Sequence, residues 1–419
     1  MPQDRQMMDH LFRHQHGRMV AILCRIFGLQ HLETIEDAVQ DTFIKAMKAW
    51  RTELPDNPEA WLTAAAKNRV IDLFRSLKSE RDRHQHQVTG PAAMAVHQLF
   101  LDHEVADSQL RMVFTACHPA LDPRDQIAFA LKAIGGFSQK EIASALLLKE
   151  ETIKKRLSRA RKTIAQKGIT FEIPLGEQLQ TRMVRVLEVI YLLFNEGFHS
   201  AKKEIVVRKE LCGEALRLSK MLIDNPVTCS PDGQALFALM CFHSARLDSK
   251  ISEANEILDL RVQDRSKWFF PLIAAGNEMM NFATAGGHYS IYHYEAAIAS
   301  EHLRAPTFAQ TNWSRILHWY EQLEALAPSP FNLLNMAVVN IQQQDFSAAK
   351  QILSSLDAEA FEQRKYLYYG CWAEYYKQTG QTKNALEKYD LAISLTNNEI
   401  EKQYLLKKRT LLKDNELRG

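Results

Sequence analysis

Residues 138–164 read SQKEIASALLLKEETIKKRLSRARKTI, and their pattern decides the fold. Ser138 followed by Glu141 is a capping-box spacing, in which the hydroxyl satisfies the amide three residues on and the carboxylate reaches back. It predicts a helix start at Ser138, with Ile142, Ala143 and Leu146 on one apolar face. After Leu147 and Leu148, the residues Ile153, Leu157, Ala160 and Ile164 recur at steps of four, three and four. At 100° per residue they form one narrow stripe on a second helix. Lys154, Lys155, Ser158, Arg159, Arg161 and Lys162 fall away from that stripe. A tight turn, a buried stripe behind and a cationic face in front are what a helix-turn-helix reader brings to a major groove. A solvated basic helix is the plainer alternative. Agreement between cap, turn, stripe and outer face favours DNA binding.

Charge distribution separates this region from the rest. The chain has 419 residues and a formal net charge of +2. Residues 1–170 carry 25 Lys and Arg against 20 Asp and Glu, and the remainder carries 27 against 30. The basic excess lies between Lys149 and Lys167. A nucleic-acid module joined to something that does not touch nucleic acid fits this pattern. The six cysteines are scattered without a C-x-x-C pair, which reads as a reducing cytoplasm. The first residues, MPQDRQMMDHLFRH, have no apolar signal core, and no apolar run is long enough to span a bilayer.

Nearly every segment has a helical period, so the fold class is all-α. A first helical stretch covers Asp4 to Phe27, with Leu11, Val20, Leu23 and Phe27 as core candidates. Thr34 with Asp37 predicts a second start. Ile35, Ala38, Val39, Thr42, Phe43, Ala46, Met47 and Trp50 line one side of the helix that follows. Glu36, Asp37, Gln40, Asp41, Lys45 and Lys48 are expected to face outwards. Asn57 as N-cap with Pro58 at the first helical position opens a third helix, Glu59 to about Leu77. It mixes Trp61 with Lys67, Asn68 and Arg69, a combination suited to stacking on bases and contacting phosphates. A packed surface tryptophan explains that helix equally well.

Two longer runs carry a resemblance. Residues 36–50 (EDAVQDTFIKAMKAW) and 56–76 (DNPEAWLTAAAKNRVIDLFRS) resemble the polymerase-binding and promoter-melting domain of the extracytoplasmic-function sigma factors. Residues 110–143 (LRMVFTACHPALDPRDQIAFALKAIGGFSQKEIA), followed by 152–164, resemble the promoter-reading domain of the same group. The phrases FTACHPAL and YLLFNEGF are similar to a subgroup with a long C-terminal helical extension containing tetratricopeptide-like repeats. The resemblance implies a sigma domain 2 over 1–83, a linker over 84–104, a sigma domain 4 over 105–168 and a regulatory extension over 169–419. It implies docking on core RNA polymerase by Asp37, Val39, Gln40, Asp41 and Phe43, of which Val39 and Phe43 lie on the apolar stripe. It also implies −10 recognition and melting by Arg51, Asp56, Asn57, Trp61, Lys67, Asn68 and Arg69. The −35 contacts would come from Thr152, Lys154, Lys155, Ser158, Arg159, Arg161 and Lys162. The expected partners are core RNA polymerase and promoter DNA, with an intramolecular or protein partner for the extension. No catalytic residue, cofactor, metal or membrane contact is implied. Two positions depart from the family pattern: Leu147 stands where the turn usually has glycine, and Lys149 where the second helix usually has a Ser-type cap. The alternatives are a stand-alone helix-turn-helix regulator with a tetratricopeptide sensor, which leaves the residues before the linker unexplained, and a pure interaction scaffold, which leaves the basic face unused.

Gly168 to Leu175 (GITFEIPL) breaks the helical pattern and predicts a boundary. Helices are expected over Gln178–Phe194, through Ala215, over Leu236–Ala245 and over Glu253–Leu260. Tyr369, Trp372, Ala373, Tyr376, Ala385 and Tyr389 fit one tetratricopeptide frame with Gly380 at its turn, and Ala337 with Ala349 mark a weaker earlier copy. Polar groups scattered along the extension read either as buried hydrogen-bonding groups or as a ligand pocket: Asn195, Glu196, His243, Arg246, Asp264, Arg265, Trp268, His288, His293 and His302. Their spacing matches no metal, P-loop or nucleophile motif.

Overall fold

The stripe of Ile153, Leu157, Ala160 and Ile164 is enclosed, at 4% exposure or less, in a computed structural model of the chain. The structure describes residues 2–50, 55–81, 102–146, 148–198, 209–250, 252, 257–396 and 398–416. It is all-helical, and its backbone contacts divide it into two compact units, 1–192 and 193–419.

The first unit begins with α1 (Pro2–Phe27), α2 (Leu32–Ala49) and α3 (Pro58–Arg81), which pack on one another. Val20, Leu23, Ile35, Val39, Ala46 and Leu62 fill the space between them at 0% exposure. Thr34 does not open α2. Gly28, at φ 92°, turns the chain into a short 3-10 segment, Leu29–His31, and α2 runs straight on from Leu32, itself buried. Two further expectations fail on this helix. Met47 is 49% exposed and Glu36 only 3% exposed, because α2 is covered on a flank that its own periodicity does not record.

What covers that flank is the second half of the unit: α4 (Asp102–Ala116), α5 (Pro123–Ala133), α6 (Gln139–Ala145) and α7 (Glu150–Lys167). α1 packs on α4 and α5. A Cβ at Gly17 would stand 2.0 Å from the main-chain oxygen of Ile134, so α1 meets the end of α5 backbone to backbone, and glycine is required there. Gly168 takes the left-handed conformation that closes α7, its N–H bonded to the Ile164 carbonyl. The following segment is strapped back onto α4, where Arg111 donates to the Phe171 carbonyl at 3.4 Å. α8 (Glu177–Phe198) starts against the same helix, with Arg182 donating to the Phe114 carbonyl and lying over the Phe114 ring. The chain bends at Gly168–Leu175 as expected, and the compact unit continues to residue 192.

The second unit holds the end of α8 and ten further helices among the described residues: α9 (Lys209–Asp224), α10 (Pro231–Ser244), α11 (Phe270–Ala283), α12 (Ile291–Arg304), α13 (Trp313–Leu326), α14 (Pro330–Gln342), α15 (Phe346–Ser355), α16 (Lys365–Gln378), α17 (Thr382–Leu395) and α18 (Glu399–Glu416). Successive helices pair. The tetratricopeptide frame is realised in α16 and α17: Ala373 and Ala385 are at 0% exposure, Tyr389 at 1%, and Gly380 turns between the helices at φ 75°. α14 and α15 repeat the arrangement with Ala337 and Ala349 at the close approach. The helix expected over Glu253–Leu260 is not formed over its described part, 257–260. The Leu258 N–H bonds to the Lys250 carbonyl, and the Asp259 carboxylate takes the Arg261 N–H, a local turn that competes with helix.

Candidate nucleic-acid interface

Ser138 caps α6 in both directions. Its Oγ accepts from the Glu141 N–H at 3.2 Å, and Glu141 Oε2 accepts from the Ser138 N–H at 2.8 Å. Leu147 lies outside the described residues. Lys149 stands at the N-cap of α7 in extended conformation with no side-chain cap bond. Glu150 and Glu151 in the first turn offset that loss by facing the positive end of the helix. Of the expected reading residues, Lys154, Lys155, Ser158 and Lys162 are exposed and Thr152 is half-buried.

The two arginines behave differently. Arg159 forks onto the buried carboxylate of Asp125 in the first turn of α5, with both bonds at 2.5 Å. That bidentate contact fixes the angle of α7 on α5, and the hydrogen bonds to Asp125, then its charge, push the guanidinium pKa up further. Arg161 is bonded to Glu36 of α2, with Glu33 at 4.0 Å. Burial pushes the Glu36 carboxyl up, against the pull of Arg161 and Lys132. α7 thus presents exposed lysines outwards while its arginines hold the unit together.

In the first half of the unit, Asn57 Oδ1 accepts from the Ala60 N–H at 3.0 Å, the N-cap expected. Asp56, Asn57 and Asn68 are exposed, and Trp61 is half-buried edge-on to Trp50, their ring centroids 5.4 Å apart. Arg69 pairs with Asp41 of α2 at 3.2 Å. Arg51 and the side chain of Lys67 lie outside the described residues. On α2, Asp37 and Gln40 face out, whereas Val39 and Phe43 are buried at 0% and 8% and build the core beneath them.

Comparison with known proteins gives this geometry its setting. Residues 11–80 match the family model described as Sigma-70 region 2, and residues 111–164 the model described as Sigma-70, region 4. Residues 182–284 match a family of unknown function, DUF6596. An uncharacterized protein of Rhizobium meliloti is 32% identical over 391 residues, 90% of this chain and 89% of that one. The ECF RNA polymerase sigma factor SigE of Mycolicibacterium smegmatis is 27% identical over 164 residues, 37% of this chain and 59% of its own. The RNA polymerase sigma factor CnrH of Cupriavidus metallidurans is 29% identical over 153 residues, 35% of this chain and 79% of its own. No solved structure matches. The chain belongs to the extracytoplasmic-function sigma factors, in the subgroup with a long C-terminal helical extension.

In this sigma factor the region 2 and region 4 modules are packed together, and two residues given separate roles by the resemblance, Asp41 and Arg69, are bonded to each other. Asp125 and Glu36 escaped the sequence reading. Asp125 carries a local signal in the D-P-R-D run that opens α5, but its partner is 34 positions away. Glu36 has none, since its burial depends on an arginine 125 positions along the chain. In the extension, several of the singled-out polar groups have structural duties. His293 Nδ1 accepts from the Ser290 N–H at 3.1 Å in a capping box, and Asp264 caps the 3-10 turn at Ser266. Burial holds the Cys117, Cys212, Cys241 and Cys371 thiols up at about 12, which leaves them protonated and unreactive.

Proposed function

We propose that this sigma factor docks on core RNA polymerase through the outward polar residues of α2, Asp37, Gln40 and Asp41, with Val39 and Phe43 shaping the helix from inside. α7 then reads an upstream promoter element with Lys154, Lys155, Ser158, Lys162 and Thr152. Asp56, Asn57, Trp61, Asn68 and Arg69, with Arg51 and Lys67, support the opened strand at the downstream element. Arg159 and Arg161 act first as braces. The observation that carries this reading is a capped helix-turn-helix with exposed lysines, following a region 2 module in one chain. The protein works in the cytoplasm, and the polymerase supplies the chemistry.

The packing of the two modules suggests a closed state. Promoter elements some 25 base pairs apart are separated by roughly 85 Å at 3.4 Å per step. A compact unit of this length has a radius of gyration of about 16 Å, too small to bridge them. The contact between α1 and α5, and the Arg161–Glu36 pair, must therefore open on the promoter. That contact is costly to maintain: Gln15 Nε2, His16 Nδ1, Glu36 Oε1 and Arg161 Nε are buried without hydrogen-bond partners among the described residues, each costing about 1–3 kcal/mol. The extension regulates this opening. Co-elution with purified core polymerase and promoter-dependent transcripts test the sigma reading, and absence of a complex ends it. Deleting residues after Leu192, where the compact unit closes, should change promoter-dependent transcription; an unchanged output removes the regulatory role.

A further inference from the structure

The C-terminal unit holds a half-open cavity of about 540 Å³, within the range of small-molecule sites. Its wall is aromatic, with Phe308, Trp313, Tyr320, Tyr366 and Tyr404. Three acids line it, Asp259, Glu374 and Glu401, and the first two are matched by cations. Asp259 accepts from Tyr404 at 2.9 Å and pairs with Lys408 at 3.2 Å; Glu374 pairs with Arg261 at 3.6 Å and accepts from Tyr389 at 3.3 Å.

One end is different. His302 lines the cavity, and its Nδ1 is buried with no hydrogen-bond partner among the described residues. Arg265 spends Nη1 on the His302 and Ala305 carbonyls, at 2.9 and 2.7 Å, and stacks on Trp268 at 4.4 Å. Its Nη2 is buried without a partner. Arg246 is half-buried just past the end of α10, and like Arg265 it stands behind the lining residues and does not line the cavity itself; its charge acts on Arg265, His302 and Tyr320. Among the described residues no carboxylate bonds to Arg246 or Arg265. The surroundings respond as they must to uncompensated positive charge: burial and Arg265 draw Arg246 down to about 10, and burial with the two arginines holds His302 at about 4. The buried Nη2 of Arg265 and Nδ1 of His302, without a hydrogen-bond partner among the described residues, are a standing cost. An anion would remove it, and two guanidinium forks, a phenol and an imidazole edge are donors suited to one.

We propose that the extension binds a small amphipathic organic anion, its acidic group held at Arg246, Arg265, Tyr320 and His302 and its apolar body in the aromatic cavity. The site does not depend on whether the extension regulates transcription, and its test reads binding alone.

The full-length protein is titrated with the fluorescent anion anilinonaphthalene sulfonate and with neutral phenylnaphthylamine. The sulfonate should bind saturably at one per chain and at least roughly tenfold more tightly than the neutral probe, the factor expected for one good charge-assisted contact. Arg246→Met should bring the two probes to within about twofold. Val338→Trp, which fills the cavity from α14, should weaken both. Arg246→Met without probe should melt no lower than the parent, because it removes an uncompensated charge. A probe preference unchanged by Arg246→Met overturns the anion site, and binding unchanged by Val338→Trp overturns the cavity. A fall of several degrees in the melting temperature of Arg246→Met makes Arg246 a structural cation and also overturns the proposal.

Discussion

The cations of α7 and the cations near Arg246 sit in opposite electrostatic situations. On α7, Arg159 is matched by Asp125, Arg161 by Glu36 and Lys155 by Glu151 at 3.7 Å. In the second unit, the Arg246 charge acts on both Arg265 and Lys250, with Glu401 the acid nearest in effect to Lys250, and Lys250 lies 3.8 Å above the Phe198 ring and donates to the Phe198 carbonyl. A matched arginine is an orienting device, whose removal strands a buried acid. An unmatched one raises the energy of the empty protein and is explained by something that arrives later. The same residue type therefore predicts opposite mutational signs in the two units.

The largest effect expected from breaking this contrast is on α7. Leu157→Ala empties the middle of the buried stripe and should cost about 2–5 kcal/mol in urea unfolding, with loss of promoter binding. Titration of the unmatched cluster comes next. Burial, then the Arg246 charge, holds Lys250 down at about 7. Above that pH the unfolded chain keeps a proton that the folded chain has released, so stability should rise with pH from about 7 towards the ordinary lysine value, by at most about 1.4 kcal/mol per unit. Lys250→Met should flatten that slope. His302 works in the acid range: stability should fall as pH drops from about 6.5 towards 4, because the unfolded chain takes up the proton first. The rise above pH 7 belongs to the second unit alone, so chains lacking residues after 192 should lose it, whereas His16, which burial holds down at about 3, keeps an acid-range slope in the first unit.

Arg159→Ala should cost about 1–3 kcal/mol, by leaving the Asp125 carboxylate without its partner, against no loss for Arg246→Met. The smallest effect sharpens the reading face itself. Lys155→Ala should lower the salt dependence of promoter binding by about one unit if it contacts a phosphate, and leave stability within about 0.5 kcal/mol. An unchanged slope and unchanged specificity would move the reading face off Lys155.

What the sequence conveyed was local. The Ser138–Glu141 box, the Asn57 cap, the α7 stripe ending at Gly168 and the Ala373, Ala385, Tyr389 frame depend on neighbours within a few turns, and all are present in the structure. The burial of Glu36, the fork of Arg159 and the turn at Asp259 depend on partners or competition that periodicity does not encode. The cavity is assembled from residues between 257 and 408. The singled-out list did contain Arg246, Arg265 and His302. That they would lack counter-charges was illegible, because having no partner is a property of the whole packed unit.

Gly17 has a genetic consequence. A side chain of any kind at that position collides with main chain at Ile134, and main chain cannot rotate aside as a side chain can. Alleles at codon 17 should therefore push α1 off the end of α5 and weaken the packing of the two modules, leaving α1 on α4 and the Arg161–Glu36 pair to hold them. Such alleles separate the cost of opening from the strength of promoter contact, since no group that faces DNA has changed. A cell carrying one would show whether the packed state withholds transcription at all.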